Sequence, residues 1–253
     1  MKICVFASGS SGNCLLVSDG VTHILLDAGI SMRRIEAALR QTGLSLSDIS
    51  GVLITHEHSD HVSALGMISK HYAVPIYAPR TVAARLIGSK PEIEPCLRVF
   101  ETGLYFGVGT LKVRAFHTPH DTDESVGYRV EGNGVFALAT DMGHVTDEVF
   151  DNLSGADVVL VESNHDVEML SYGPYPVYLK RRILSMRGHL SNECCAELVQ
   201  RLAKTGVKKV ILGHLSRENN TPEKAYLASA AALRGTGVEL QCAPASGALY
   251  INI

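Results

Sequence analysis

Apolar residues run along this chain in short blocks whose spacing switches repeatedly between strand-like and helix-like. Near the start, "ICVFA", "CLLVS" and "HILLDAG" are apolar runs separated by Gly, Ser and Asp, which predicts three short strands. "SMRRIEAALRQTG" changes to helical spacing, with Ser31 as N-cap and Gly43 as C-cap. "GVLITH" reads as a buried strand, residues 62–72 as a helix, "VPIYA" as a strand and "PRTVAARLIG" as a helix opened by proline. "TLKVRAFH", "SVGYRVE", "GVFALATD" and "ADVVLVE" follow as strands. Residues 174–186 and 191–205 read as helices, "VKKVILGH" as a strand and "TPEKAYLASAAALRG" as a helix, before "GVELQC" and "ALYIN". Strands and helices are therefore interleaved twice, with a strand-rich run in each half, which is the pattern of a layered α/β fold.

The polar residues that interrupt this pattern are concentrated at strand ends. His56 follows "VLIT", His117 and His120 follow "VRAF", Asp141 follows "FALAT" and His214 follows "VILG". Ligand sites in α/β folds collect at strand ends. The densest stretch is "HEHSDH", residues 56–61. Neutral imidazole and carboxylate are ligands for divalent transition metals. His56 and His58, two apart in extended backbone, point the same way and can grip one ion. Asp60 and His61, where the chain turns into a helix, can grip a second. His120 then completes the first site, His214 completes the second and Asp141 bridges both. His117 competes with His120. His120 is preferred because His117 reads as the end of a strand and Pro119 opens the following loop.

Composition narrows the reading. The chain has 253 residues, 46% hydrophobic and 19% charged, with no linker, which predicts one domain over 1–253. A net charge of -3 announces no general affinity for nucleic acid, though it leaves room for a local basic patch. The six cysteines form no CxxC pair, and buried thiols in a reducing cytoplasm are expected. The first apolar run is too short for a signal-peptide core, and none approaches the roughly 18 residues of a membrane span. A soluble, cytoplasmic protein without membrane contact is expected. "SGSSGN" lacks the lysine of a phosphate-binding P-loop and reads as a tight turn at the site rim.

This constellation resembles the metallo-β-lactamase-fold hydrolases, in which "DAG", "HEHSDH", His120, Asp141 and His214 occur in the same order. The resemblance implies a four-layer αββα sandwich with a dinuclear site at one edge, and it implies that Asp27 buttresses the ligand loop. Flavodiiron relatives carry HxExD, whereas position 58 here is His, which argues for hydrolysis over redox chemistry. The nucleophile expected from such a site is a hydroxide shared by two ions, with Zn, Mn and Fe all compatible with the donor set.

A second stretch, "YPVYLKRRILSMRGHLSNE", narrows the substrate. Lys180, Arg181 and Arg182 are consecutive and precede His189, with Arg187 between. Similar segments of ribonuclease Z supply a His and a Glu that act as a proton relay. That likeness implies Glu162 and His189 as catalytic residues, alongside Asp60. The tRNA-holding arm of ribonuclease Z has no room in the 20 residues between His120 and Asp141. Together, "ASGSSGN", "HEHSDHVSAL", the basic stretch and "ILGHLSREN" look like the bacterial WalJ (YycJ) family. That likeness implies 5′→3′ exonuclease action on double-stranded DNA and a link to mismatch repair. Of Lys180, Arg181 and Arg182, which cannot all face one way on a helix, one or two are expected to reach the DNA phosphates and the rest to be solvated. The rival readings are a hydrolase of a small cyclic phosphodiester, thioester or lactam, and a non-catalytic scaffold. The complete ligand set argues against the scaffold. The basic helix and the Glu162/His189 pair argue against thioesters and lactams. His144, after "TDMG", and His165 are assigned no role.

Overall fold

In strand after strand, neighbouring residues are buried on opposite faces, and this alternation sets the layers. The computed structural model describes residues 1–244 and 247–253. Among them, the first sheet is built from β1 (Lys2–Ala7), β2 (Cys14–Ser18), β3 (His23–Leu26), β4 (Gly51–Leu53), β5 (Ile76–Pro79) and β6 (Leu97–Phe100). The second holds β7 (Tyr105–Val108), β8 (Leu111–His117), β9 (Val126–Glu131), β10 (Val135–Ala139), β11 (Val158–Glu162), β12 (Lys209–Gly213) and β13 (Glu239–Cys242). The last strand, β14 (Leu249–Asn252), returns to the first sheet beside β1, giving the orders β14-β1-β2-β3-β4-β5-β6 and β13-β12-β11-β10-β9-β8-β7. Both sheets mix parallel and antiparallel pairs.

Ile3, Val5, Leu15, Val17, Ile24 and Leu26 of the first sheet face Val113, Tyr128, Phe136, Leu138, Leu160 and Ile211 of the second in one central cluster. The intervening residues face outward: Cys4, Leu16 and Leu25 pack under α1 (Met32–Gln41) and neighbouring helices, and Ala137, Val159, Val161 and Leu212 pack under helices of the other half. Strands buried on both faces read as continuous apolar runs, which is why the sequence shows little polar alternation there. The result is the four-layer αββα sandwich expected from the resemblance. Leu160 is 0% exposed at the middle of the central layer. Leu160→Ala is expected to lower stability by about 2–5 kcal/mol, seen as a lower denaturation midpoint with unchanged slope.

The remaining helices are α2 (Ser59–Val62), α3 (Leu65–Tyr72), α4 (Arg80–Ser89), α5 (Asp147–Leu153), α6 (Val167–Tyr172), α7 (Val177–Ile183), α8 (Asn192–Leu202) and α9 (Pro222–Ala232). The helix expected over 62–72 is two segments, α2 and α3, and that over 174–186 is the shorter α7. The Ser191 hydroxyl caps α8 by accepting from Cys194 N. Ser31 sits at the N-cap of α1, but its hydroxyl accepts no bond there. Gly43, just past α1, has φ +83°, the conformation a helix-ending glycine supplies. All six cysteines are free, with Cys194 exposed and Cys242 half-buried. No helix among the described residues is long and apolar enough to cross a membrane.

Candidate metal centre

The metal-type residues converge at one edge of the sandwich, where strands of both sheets end. After β4 the chain stays extended to His58, which occupies the N-cap of α2, so Asp60 and His61 fall on the first turn. Gly29, just past β3, presses on this turn: a Cβ there would lie 1.6 Å from Asp60 O, so only glycine fits. From the other sheet come His120 beyond β8, Asp141 beyond β10 and His214 immediately after β12. Asp27, Asp141 and His214 all take left-handed backbone, with φ 60°, 57° and 53°. Asp and His tolerate this region better than most residues, yet it still costs about 1–2 kcal/mol each. Strain of this kind clusters at functional sites.

His56, His58 and His120 bring ring nitrogens within 4.8 Å of one another, and Asp60, His61 and His214 form a second such group. Asp141 lies within the same reach of His56 and His61, and also of Glu162, His189 and His214. His56 and His61 are 0% exposed, and His120, Asp141 and His214 are 2–3% exposed.

Four of these imidazoles have one nitrogen engaged from behind. Thr55 Oγ1 is 3.0 Å from His56 Nδ1, and Asp27 Oδ2 accepts from His61 Nδ1 at 2.8 Å. Gly188 O accepts from His120 Nδ1 at 3.3 Å, and Glu162 Oε1 accepts from His214 Nδ1 at 2.9 Å. Each therefore turns Nε2 inward. There, His56 Nε2, His120 Nε2, His214 Nε2 and Asp141 Oδ2 are buried with no hydrogen-bond partner. A buried polar atom left so costs about 1–3 kcal/mol, and four converging on one space fit a cation. Metal-ligating histidines characteristically donate their other N–H to a carboxylate or carbonyl.

The protonation preferences agree. Burial holds His56 and His120 below the usual imidazole range, in the neutral form that ligates. Burial also pulls His61 down, but Asp27 and Asp141 overrule it and push it to about 10. His214 is raised well above its ordinary value, against burial, chiefly by Asp141. The carboxylate-rich half of the cluster demands positive charge. The residues present thus fit divalent metal.

Beside the cluster stands the pair expected to move protons. His189 Nδ1 donates to Glu162 Oε1 at 2.7 Å. Glu162 is fully buried, and its Oε2 also accepts from Met142 N at 2.9 Å and Leu190 N at 3.3 Å. Burial would raise the Glu162 carboxyl, but His189 and His214 hold it below the usual carboxylate range. Burial lowers the His189 imidazole, but the charge and hydrogen bond of Glu162, together with Asp141, raise it overall. His189 lines a cavity of about 190 Å³ together with Ser10, Tyr175, Leu179, Arg182 and Ser216.

The family model for the β-lactamase superfamily domain matches residues 22–215, which include every residue of this cluster. The chain belongs to the β-lactamase superfamily. Within it, the chain is 39% identical over 237 residues to exodeoxyribonuclease YycJ of Bacillus anthracis, covering 92% of this chain and 89% of that protein. It is 37% identical over 230 residues to exodeoxyribonuclease WalJ of Streptococcus pneumoniae strain D39, covering 89% and 86%. Among solved structures, the metallo-β-lactamase fold protein YhfI of Bacillus subtilis matches with a TM-score of 0.75 at 15% identity, over 98% of each chain. Zn(2+)-bound PqqB of Methylobacterium extorquens matches with 0.71 at 17% identity, over the whole of both chains.

Other residues singled out in the sequence lie around the cluster or away from it. His117 ends β8 with its side chain 58% exposed beside Glu124 and Glu148, away from the cluster. Of the three consecutive basic residues only Arg182 lines the cavity, and its Nε donates to Asp121 Oδ2. Lys180 Nζ turns back to Ser171 O at 2.8 Å, and the cavity lining does not include Arg181. Arg187 donates to the carbonyls of His120 and Thr122, so it props the ligand loop. His144 Nδ1 donates to Met186 O at 2.8 Å. His165 is buried with neither ring nitrogen partnered, and burial keeps it below its usual range.

Two residues escaped the sequence reading. Asp121 Oδ1 lies 3.3 Å from His120 Nε2 and 3.9 Å from His58 Nε2, and it is a further candidate ligand. Its signal was its place directly after His120. Asn13, in "SGSSGN", holds Nδ2 3.0 Å from His61 Nε2, and its Oδ1 accepts from Gly9 N. That loop therefore steadies the cluster itself.

Proposed function

We propose that this protein is a metal-dependent 5′→3′ exodeoxyribonuclease acting on double-stranded DNA, with residues 1–253 working as a single catalytic domain. The observation that carries the reading is the Glu162–His189 pair set between the metal-type cluster and a cavity of about 190 Å³. A phosphodiester needs its departing alkoxide protonated, and this pair supplies a proton where that oxygen would leave. Two relatives at 37–39% identity, which this chain spans nearly end to end, are named exodeoxyribonucleases. His56, His58 and His120 would hold one divalent ion, Asp60, His61 and His214 a second, with Asp141 between. Such ions supply an activated water near neutral pH and offset the charge of the reacting phosphate. The chain's own residues do the rest. Asp27 and Glu162 fix the tautomers of His61 and His214. Glu162 orients His189 so that Nε2 presents a proton to the leaving oxygen. Arg182, steered by Asp121, meets the phosphate in the cavity.

The test is hydrolysis of end-labelled single- and double-stranded DNA and RNA by apoprotein reloaded with Zn²⁺, Mn²⁺ or Fe²⁺, with a small chromogenic phosphodiester as control. Stepwise release from 5′ ends of duplex DNA is expected, with two ions bound per chain. Cleavage of the small ester alone would overturn the nuclease reading. The Lys180→Ala/Arg181→Ala variant, which keeps Arg182 in the cavity, should weaken DNA binding and leave the small ester unaffected. Its slope of log K against log salt should flatten by roughly 0.9 for each duplex phosphate no longer neutralised. An equal fall in activity on both substrates would make the cluster structural.

A further inference from the structure

A second groove opens on the other side of the glycine-rich loop. It has a volume of about 420 Å³ and is lined by Ser8, Ser11, Arg34, Ser216 and Arg217 together with apolar side chains such as Leu215 and Pro222. Ser216 lines both this groove and the cavity at His189, and Ser10 faces one while Ser11 faces the other. The two depressions therefore flank the same turn. Arg217 stands three residues beyond His214 in the chain, a span of at most about 10 Å. Phosphates of a strand recur at roughly 3.4 Å along a duplex axis, so this groove lies within a few phosphates of the metal centre.

Charge makes the groove distinct. The chain carries a net charge of -3, yet the only charged side chains lining this groove among the described residues are Arg34 and Arg217. Arg34 is exposed on the first turn of α1, and Arg217 is exposed with Nη2 donating to Ser11 Oγ at 2.8 Å. Arg34 and Arg217 line one groove together with Ser8, Ser11 and Ser216, a set of guanidinium and hydroxyl donors that suits phosphate oxygens. Size separates the two depressions. The His189 cavity, about 190 Å³, falls below the roughly 300–1,000 Å³ of sites that enclose a drug-sized ligand, so it takes one nucleotide fragment and no duplex end. Its wall of Tyr175, Leu179 and Ile183 is apolar and aromatic, as a base or sugar face requires.

We propose that the Arg34–Arg217 groove holds the phosphates of the strand that stays behind after cleavage, while the Tyr175–Arg182 cavity receives the departing terminal nucleotide. This rests on the nuclease reading and assigns its two substrate arms. The polymer then crosses the metal centre from Arg217 toward His189, and its terminal nucleotide must unpair to enter the cavity.

The test is binding of fluorescein-labelled single-stranded DNA of increasing length, measured by anisotropy across salt concentration, for wild type, Arg34→Gln/Arg217→Gln and Arg34→Lys/Arg217→Lys. Hydrolysis of a dinucleotide and of a long strand is read in parallel. In wild type, affinity should rise with length beyond the dinucleotide. The double glutamine variant should lose that rise, and its salt slope should flatten by roughly 0.7 per arginine on single strands. Dinucleotide hydrolysis should stay at the wild-type rate, and the lysine variant should keep most of the slope. Wild-type length dependence and salt slope in the glutamine variant would overturn the assignment. So would an equal fall on dinucleotide and long strand, which marks a structural role. If wild type hydrolyses no DNA with any metal but binds it through these arginines, the groove stands and the nuclease reading falls.

Discussion

Replacing His189 by alanine is expected to lower kcat on duplex DNA by about 10²–10⁴-fold while metal content stays at the wild-type value. The expectation rests on where its two nitrogens point. Nδ1 is committed to Glu162 at 2.7 Å, and the ring borders the cavity with its side chain 24% exposed. The His214 imidazole makes the same bond to the same carboxylate, but it is buried to 2% and its Nε2 is orphaned among the other inward-facing donors. The two histidines share a partner and divide on exposure. The accessible one serves a substrate that comes and goes, and the buried one serves a permanent ligand. A His189→Ala protein that loses metal on dialysis would show that the division has been drawn in the wrong place. A variant with full activity on DNA would show that the leaving oxygen takes its proton from solvent.

The constellation was legible because strand ends and short sequence distances carry it. His56, His58, Asp60 and His61 fall within six residues, and Asp141 and His214 each follow a strand whose apolar run is plain. The four layers were legible for a related reason: strands buried on both faces, such as β11 with every residue buried, cannot be mistaken for surface. What stayed hidden depends on contacts between distant segments. Strands β6 and β7 lie at sheet edges with mostly half-buried or exposed residues, so their pattern carries little signal. Helices α5 and α6 are short, with few buried residues between them to set a period. Of the three basic residues in a row, the sequence tells that one or two can reach phosphate but not which. Consecutive positions on a helix cannot face one way, and Arg182 reaches Asp121 while Lys180 turns to Ser171. No spacing rule announces that Arg187 bonds carbonyls more than sixty residues away. Exposure was decisive for His117, which shares a strand-end position with the true cluster members but faces solvent.

Glu162→Gln should be the more damaging change, because one carboxylate holds both functions in place. It accepts four hydrogen bonds: from His189 Nδ1 and His214 Nδ1 on Oε1, and from Met142 N and Leu190 N on Oε2. An amide has a single acceptor oxygen, and its NH₂ only donates. If the oxygen faces the histidines, the NH₂ meets two backbone N–H groups at a fully buried position. If it faces the backbone, the NH₂ meets the two rings. Each ring can then relieve the clash by moving its proton from Nδ1 to Nε2. For His214 that places a proton on the inward-facing nitrogen and removes a ligand. Loss of such an outer partner typically costs about 10–100-fold in metal affinity or activity. Loss of an oriented proton donor adds its own factor of about 10²–10⁴. The two effects are separable in a cycle of wild type, Glu162→Gln, His189→Ala and the double variant, with kcat and metal affinity measured for each. His189→Ala should cost far less in the Glu162→Gln background than in wild type, while metal affinity falls only where Glu162 is changed. If the losses in kcat multiply independently, Glu162 does not act through His189, and the buried carboxylate serves the metal centre alone.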